Sequence, residues 1–417
     1  MTWGLFGALG LLGLPIYALM GGIALWAFHT SGIEISAVAV EMYRLASAPT
    51  LLSIPLFTFA GYVMAESKSP ERLLKLADVL FGNLRGGTAI MGIVLCAFFT
   101  AFTGASGVTI IALGGLLMPI LMKEGYSERF ALGLITTCGS LGLLFPPSLP
   151  IILYGIIAKA DIDKLFVAGF LPGLFLMLVL ATWAVIQAPP RRDKVPFTWK
   201  RLREALWLNR WELPLAPLVL GGIYGGFTTA TEAATLSALY VLLAQCVLYR
   251  DLSFTRDIPR VAAESLTLVG AILIILCAAM GMTNYLVDQE VPMKILAAMQ
   301  GWIGNKWVFL LVLNIFLLVV GCLMDIFSAI IVVVPLIVPV AQEFGVDPFH
   351  LAIVFLANLE IGYITPPVGI NLFISSFRFN RPVLELYRAS FPFLLLLLGA
   401  LAVLTYIPWV TLFLLSS

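Results

Sequence analysis

The sequence predicts an all-α polytopic membrane protein, an inverted repeat with two re-entrant hairpins and two helices broken at Pro-Pro. Three observations predict it. Of 417 residues, 61% are hydrophobic and 11% charged, where a soluble domain carries about 25% charged residues. No compact globule has interior enough for that apolar surface, and disorder needs the opposite composition. The apolar runs are continuous and as long as helical spans, as in Phe391 to Leu404, where an outer-membrane barrel would alternate in strands of about ten residues. Finally, Pro119, Gly125, Gly142, Pro146, Pro147 and Pro172 fall on Pro339, Gly345, Gly362, Pro366, Pro367 and Pro392 at a constant offset of 220.

Taken in order, apolar segments predict spans near 4–28, 49–65, 130–158, 165–188, 213–227, 228–249, 262–285, 350–376 and 389–413. The first lacks a basic leader and a small-residue cleavage site, so it reads as a retained helix. Residues 88–120 and 307–341 are too long for one span, and small or polar residues interrupt each near its middle. A hairpin that enters the membrane and turns back fits them, because backbone turns at membrane depth only where protein or water covers it. Segment 189–212 interleaves Trp199, Trp207 and Trp211 with seven basic residues, which suits a helix on the cytoplasmic membrane surface better than a nucleic-acid patch. Cys96, Cys138, Cys246, Cys277 and Cys322 lie in apolar stretches without metal-ligand spacing, and read as small buried hydrophobes.

The positive-inside rule orients this layout. With a cytoplasmic N-terminus, loops 66–87, 121–129, 189–212, 250–261 and 377–388 hold 19 Lys and Arg, and the opposite side holds 5. The C-terminus then lies outside. Loops 121–129 and 342–349, equivalent in the repeat, face opposite sides, which makes the repeat an inverted one, the architecture of secondary transporters.

Gly139 to Ser148 and Glu360 to Gly369 carry the sharpest chemistry. Two successive prolines unwind a helix, since each lacks an N–H and clashes with the carbonyl four residues back. Carbonyls at Gly142, Phe145, Gly362 and Thr365 are expected to lose their partners, and a dehydrated Na⁺ would satisfy several at once. The half-helix after each break offers its positive end to an anion. The hairpin tips come second. Thr100, Thr103, Ser106 and Thr109 surround Gly104 in the first, and their hydroxyls suit a hard cation or a carboxylate. In the second, Asp325 is an acid among apolar residues; a functional site and a helix cap stand side by side as explanations. Glu232 reads as structural. Glu360, beside Asn358, fits either the transport path or a bond between helices. His29 and His350 sit at predicted membrane edges and read as structural. No Ser/His/Asp set, zinc motif or phosphate loop appears, so no enzyme is expected.

At these motifs the chain resembles the large membrane subunit of tripartite ATP-independent periplasmic (TRAP) transporters, the DctM family. The resemblance rests on Lys123-Glu124-Gly125-Tyr126, Pro146-Pro147-Ser148-Leu149-Pro150 with Tyr154-Gly155, Phe170-Leu171-Pro172-Gly173, Thr231-Glu232-Ala233-Ala234 and Thr365-Pro366-Pro367-Val368-Gly369. It implies a sodium-coupled elevator in the bacterial inner membrane, importing an organic acid delivered by a periplasmic binding protein, with a separate small four-helix membrane subunit. It implies two Na⁺ sites. The first takes Thr100, Thr103, Gly104, Ser106, Gly142, Phe145 and Pro147. The second takes Gly321, Asp325, Gly362, Thr365, Pro367 and Val368. Ser106, Ser148, Asp325 and Asn371 are the implied substrate residues. Two scaffold parts with arms (1–87 and 213–306), two transport repeats (88–188 and 307–417) and a linker (189–212) follow from it. The first tip departs from the usual Gly-x-Ser-Gly-Ser, and Thr229-Ala230-Thr231-Glu232 replaces a common Thr-Pro-Thr-Glu. Sialic acid, C4-dicarboxylates, keto acids and ectoine-like solutes remain open as substrates. The alternative is a stand-alone sodium/dicarboxylate or citrate-type symporter of the same superfamily.

Overall fold

A computed structural model describes residues 9, 12–32, 34–47, 49–190, 198–291, 293, 294, 297 and 303–415. The start of the first predicted span and residues 191–197 of the basic linker lie outside the described residues. Among those described there are helices and no strands. Seven helices are long and apolar enough to cross a membrane, or eight if one bent pair counts as a span; this is a multi-pass membrane protein.

The helices run α1 (Ile16–Thr30), α2 (Ser36–Ala46), α3 (Ser53–Glu66), α4 (Ser69–Phe81), α5 (Gly87–Thr103), α6 (Ser106–Lys123), α7 (Glu128–Cys138), α8 (Leu149–Ala158), α9 (Ile162–Ile186) and α10 (Trp199–Leu208). There follow α11 (Leu215–Tyr224), α12 (Ala230–Leu242), α13 (Asp257–Asp288), α14 (Lys306–Leu323), α15 (Ile326–Glu343), α16 (Pro348–Gly362), α17 (Ile370–Phe379), α18 (Val383–Tyr406) and α19 (Trp409–Leu412). Several helices begin outside their predicted apolar windows. α13 starts at Asp257 and α18 at Val383. Asp257 and Glu385 occupy their first turns, where an acid complements the helix dipole although hydropathy counts it as loop.

Residues 87–186 and 307–406 trace the same elements at the offset seen in the sequence. α5, α6, α8 and α9 correspond to α14, α15, α17 and α18 within one residue at each end. α7, with the short turn Leu141–Leu144, corresponds to α16. The N-caps of α7 and α16 are Ser127 and Asp347, each accepting from the backbone of its first turn. Packing between the repeats is reciprocal: α6 lies on α17, and α15 lies on α8. A two-fold relation demands that exchange. A second group surrounds them, in which α13 packs on α1, α2 and α3, and α3 on α12.

On one face of this second group a buried ionic network pins α4, α10 and the end of α12's span together. The Arg72 guanidinium donates to Glu212 at 2.6 Å, to Asp251 at 2.6 Å and to Gln245 at 2.8 Å. It also lies 3.8 Å from the centre of the Tyr249 ring. Each of its three nitrogens finds an acceptor, the condition under which a buried charge is tolerated. Burial, and next the hydrogen bond to Glu212, push the Tyr249 phenol up.

Candidate functional site

The site forms where each tip meets its own repeat's break. α5 and α6 join through Gly104 and Ala105, with Gly104 at φ 65°. That left-handed turn suits a residue without a Cβ. Near it the helix of residues 128–144 bends by 44° into α8, and Pro146 and Pro147 lie in the gap. Gly142 sits flat against α5, so that a Cβ there would come within 2.6 Å of Thr100 Cβ. The Thr100 hydroxyl donates to the Gly139 carbonyl at 2.8 Å and lies 2.7 Å from the Thr109 hydroxyl. Thr100 and Gly142 are therefore in direct contact, and Phe145 borders the same cavity as Ala97 and Ala101.

The second tip repeats the contact with other side chains. A Cβ on Gly362 would lie 2.6 Å from Gly321 Cα, the position equivalent to Ala101. The Gly369 N–H donates to the Cys322 carbonyl at 3.0 Å, and the Ile326 N–H to the Tyr363 hydroxyl at 2.8 Å. Asp325 caps α15, accepting from the Phe327 and Ser328 N–H groups at 3.0 Å each. The cap explanation for Asp325 is thus present in the geometry. Its other carboxylate oxygen makes none of the cap bonds. Tyr387 donates its hydroxyl to the Pro367 carbonyl, and the Thr365 hydroxyl turns back to Ile361 O at 2.9 Å.

Three of the four expected orphan carbonyls need correction. Gly142 O accepts from Phe145 N, Phe145 O from Ser148 N, and Gly362 O from Thr365 N, each at 3.0 Å. Tight turns after each helix end consume these bonds, as 3₁₀ geometry does at helix termini. Each carbonyl keeps a second lone pair for a cation. The donors around both breaks are hard oxygens, carbonyl and hydroxyl, which fit Na⁺.

Of the implied substrate residues, the structure joins two across 265 residues of sequence. The Ser106 hydroxyl donates to Asn371 Oδ1 at 2.7 Å. Asn371 Nδ2 donates to Thr136 O at 3.2 Å, and the Thr136 and Ser375 hydroxyls are 2.8 Å apart. All four residues are buried. Ser148 is fully buried and donates to Leu143 O, away from this seam. Sequence reasoning passed over Thr136, Ser375 and Tyr363. Tyr363 stood inside a quoted motif, and the hydroxyls were lost among apolar neighbours.

The remaining polar residues sort by contact. Glu232 closes a capping box with Thr229. His350 is buried, bonded to Thr411 and the Thr405 carbonyl. Asn358 donates to Asn314 at 2.6 Å, a bond between helices. Glu360 is 1% exposed, and neither carboxyl oxygen has a hydrogen-bond partner among the described residues.

Comparison with known proteins agrees with this geometry. The profile described as "Tripartite ATP-independent periplasmic transporter, DctM component" matches residues 3–410. The C4-dicarboxylate TRAP transporter large permease protein DctM of Pseudomonas aeruginosa is 36% identical over 94% of this chain and 92% of its own length. The isethionate TRAP transporter permease protein DctMQ of Oleidesulfovibrio alaskensis is 34% identical over 99% of this chain, which spans 66% of that protein. In fold, the Alcanivorax borkumensis YdaH transporter superposes with TM-score 0.61 at 14% identity, covering 89% of this chain and 87% of that one. These relatives are transporter permeases and not enzymes, and this chain belongs to the DctM component family of tripartite ATP-independent periplasmic transporters.

Proposed function

We propose that the chain is the large permease subunit of a sodium-coupled importer of an organic acid, working as an elevator in a bacterial inner membrane. In this reading α5–α6 and α14–α15 are re-entrant hairpins. Residues 87–186 and 307–406 move together against α1–α3 and α11–α13. The N-terminus is cytoplasmic and the C-terminus periplasmic. The observation that carries it is the paired docking of each tip on its own helix break, at Gly142 and at Gly362. Thr100, Thr103, Gly104, Ser106, Gly142, Phe145 and Pro147 would hold one Na⁺. Gly321, Asp325, Gly362, Thr365, Pro367 and Val368 would hold the other. Sodium supplies the electrochemical driving force. Ser106 and Asn371 orient the acid, beside the positive end of α17.

A periplasmic binding protein and a small membrane subunit complete the transporter, as the names of the family and its relatives suggest. The test is uptake of labelled succinate, a C4-dicarboxylate, into proteoliposomes holding the reconstituted complex. Uptake that proceeds equally without a Na⁺ gradient sinks the coupling. Uptake by this chain alone replaces the reading with a stand-alone symporter. Thr365→Val weakens the sodium dependence more than it lowers expression, and a wild-type sodium response in it removes the second site.

A further inference from the structure

One cation stands at the open end of the polar seam. On α17, Asn371, Ser375 and Arg378 are spaced four and three residues apart, which places them on one helix face. Arg378 lies about 10 Å along the axis from Asn371. Asn371 and Ser375 are buried while Arg378 is exposed, so the stripe runs from the interior to the surface. Where it emerges, α6 carries Gly114 and Gly115. A Cβ on Gly115 would overlap the Arg378 guanidinium, and one on Gly114 would lie 2.9 Å from the Phe379 ring. The guanidinium tip therefore rests against Gly115, and a larger residue there would make it shift.

Arg378 makes no ion pair among the described residues. Its neighbours are taken: Arg381 pairs with Glu128, and Arg129 donates to the Arg388 carbonyl at 2.8 Å. The repeat-equivalent of Arg378 is Ala158, and those of Ser106, Asn371, Thr136 and Ser375 are Ile326, Ile151, Leu356 and Gly155. The seam and the cation are absent together from the other repeat, although the backbone is shared.

We propose that Arg378, seated on Gly115 at the mouth of the seam of Ser106, Asn371, Thr136 and Ser375, binds the substrate's oxyanion on the cytoplasmic side of the transport path. The assignment rests on the organic-acid reading above. Guanidinium presents a planar fork of donors matched to carboxylate and sulfonate oxygens. A purely structural Arg378 would instead complement the C-terminal dipole of α17 and reach to the membrane surface.

The two roles separate in counterflow through proteoliposomes holding the complete transporter, with succinate and isethionate as probes loaded inside. Arg378→Gln is expected to raise the half-saturating internal concentration about ten- to a hundredfold, the equivalent of one lost charge-assisted hydrogen bond. The external half-saturation, read in parallel, is expected to rise less than the internal one, since the binding protein delivers substrate from outside. Gly115→Ala reproduces the internal defect with every charge in place, because it shifts the guanidinium. Arg378→Lys recovers part of it, keeping the charge and losing the fork. Unchanged internal half-saturation in Arg378→Gln, with only thermal stability lowered, overturns the assignment in favour of the dipole role. Exchange by the wild-type complex of neither probe, nor of sialic acid, pyruvate or ectoine, overturns the organic-acid reading, and this assignment with it.

Discussion

Residues 87–186 and 307–406 follow one another element by element, yet their polar side chains occupy different positions. At the first tip the turn is made by Gly104 in the left-handed region, and Ala105 before α6 gives no side-chain cap. At the second, Met324 is extended and Asp325 caps α15. The first tip ends in the hydroxyl seam reaching Asn371; the matching positions in the other repeat are apolar. The second repeat in turn holds Asn314, His350, Asn358 and Thr405 where the first has Val94, Phe130, Cys138 and Val185. The glycine contacts at the two breaks are shared because they set how closely backbones approach. On the proposed function, the polar groups are divided because one asymmetric substrate needs its donors on one side only.

The largest effects are expected where the repeats agree. Gly142→Ala and Gly362→Ala each force a Cβ into backbone or side-chain atoms of the facing helix. Each should cost about 3 kcal/mol or more, read as thermal unfolding of the purified chain, with uptake abolished in both. A loss in only one of the pair breaks the equivalence. Next come the positions where the repeats differ. Asn371→Leu gives the first seam the apolar character of its counterpart, and should cut uptake more than tenfold while the fold survives. The reciprocal Ile151→Asn buries an amide without partners and should cost about 1–3 kcal/mol, with stability and not selectivity as its readout. Equal phenotypes would deny the division of chemistry.

The tips offer a smaller and sharper test. Asp325→Ala removes a cap worth about 1 kcal/mol, whereas Asp325→Ser keeps a capping oxygen and loses the carboxylate. Uptake restored by serine assigns Asp325 to the turn alone; uptake still lost assigns it to the ion site as well. Ala105→Asp adds the missing cap to the first tip and should raise stability by a similar amount. The smallest effect is expected at Glu232→Ala, which opens a capping box on an exposed turn and should leave uptake unchanged.

Much of this arrangement was legible before any coordinates. The offset of 220 places helix ends as well as prolines, because glycine and proline act on the backbone where they stand. The helix ends were less legible. α18 begins before its apolar window, since hydropathy cannot separate an acidic first turn from a loop. The carbonyls at the breaks looked orphaned because a sequence shows which helical bonds proline removes and not which turn bonds replace them. Thr136 and Ser375 escaped notice for a related reason: a hydroxyl in a transmembrane helix satisfies itself on the preceding turn, as Thr136 does on Leu132 O. Nothing along the chain separates that use from a contact across helices.

The sequence by itself determined the membrane class, the repeat and the family. All are local or periodic properties, written in composition, span length and the chemistry of proline and glycine. The tertiary structure decided which helices exchange partners, that Ser106 meets Asn371, that Tyr363 holds the second tip, and that Arg378 rests on Gly115. Those are choices between helix faces that are nearly equal in hydropathy. In a chain so uniformly apolar, only the fit of one surface against another distinguishes them.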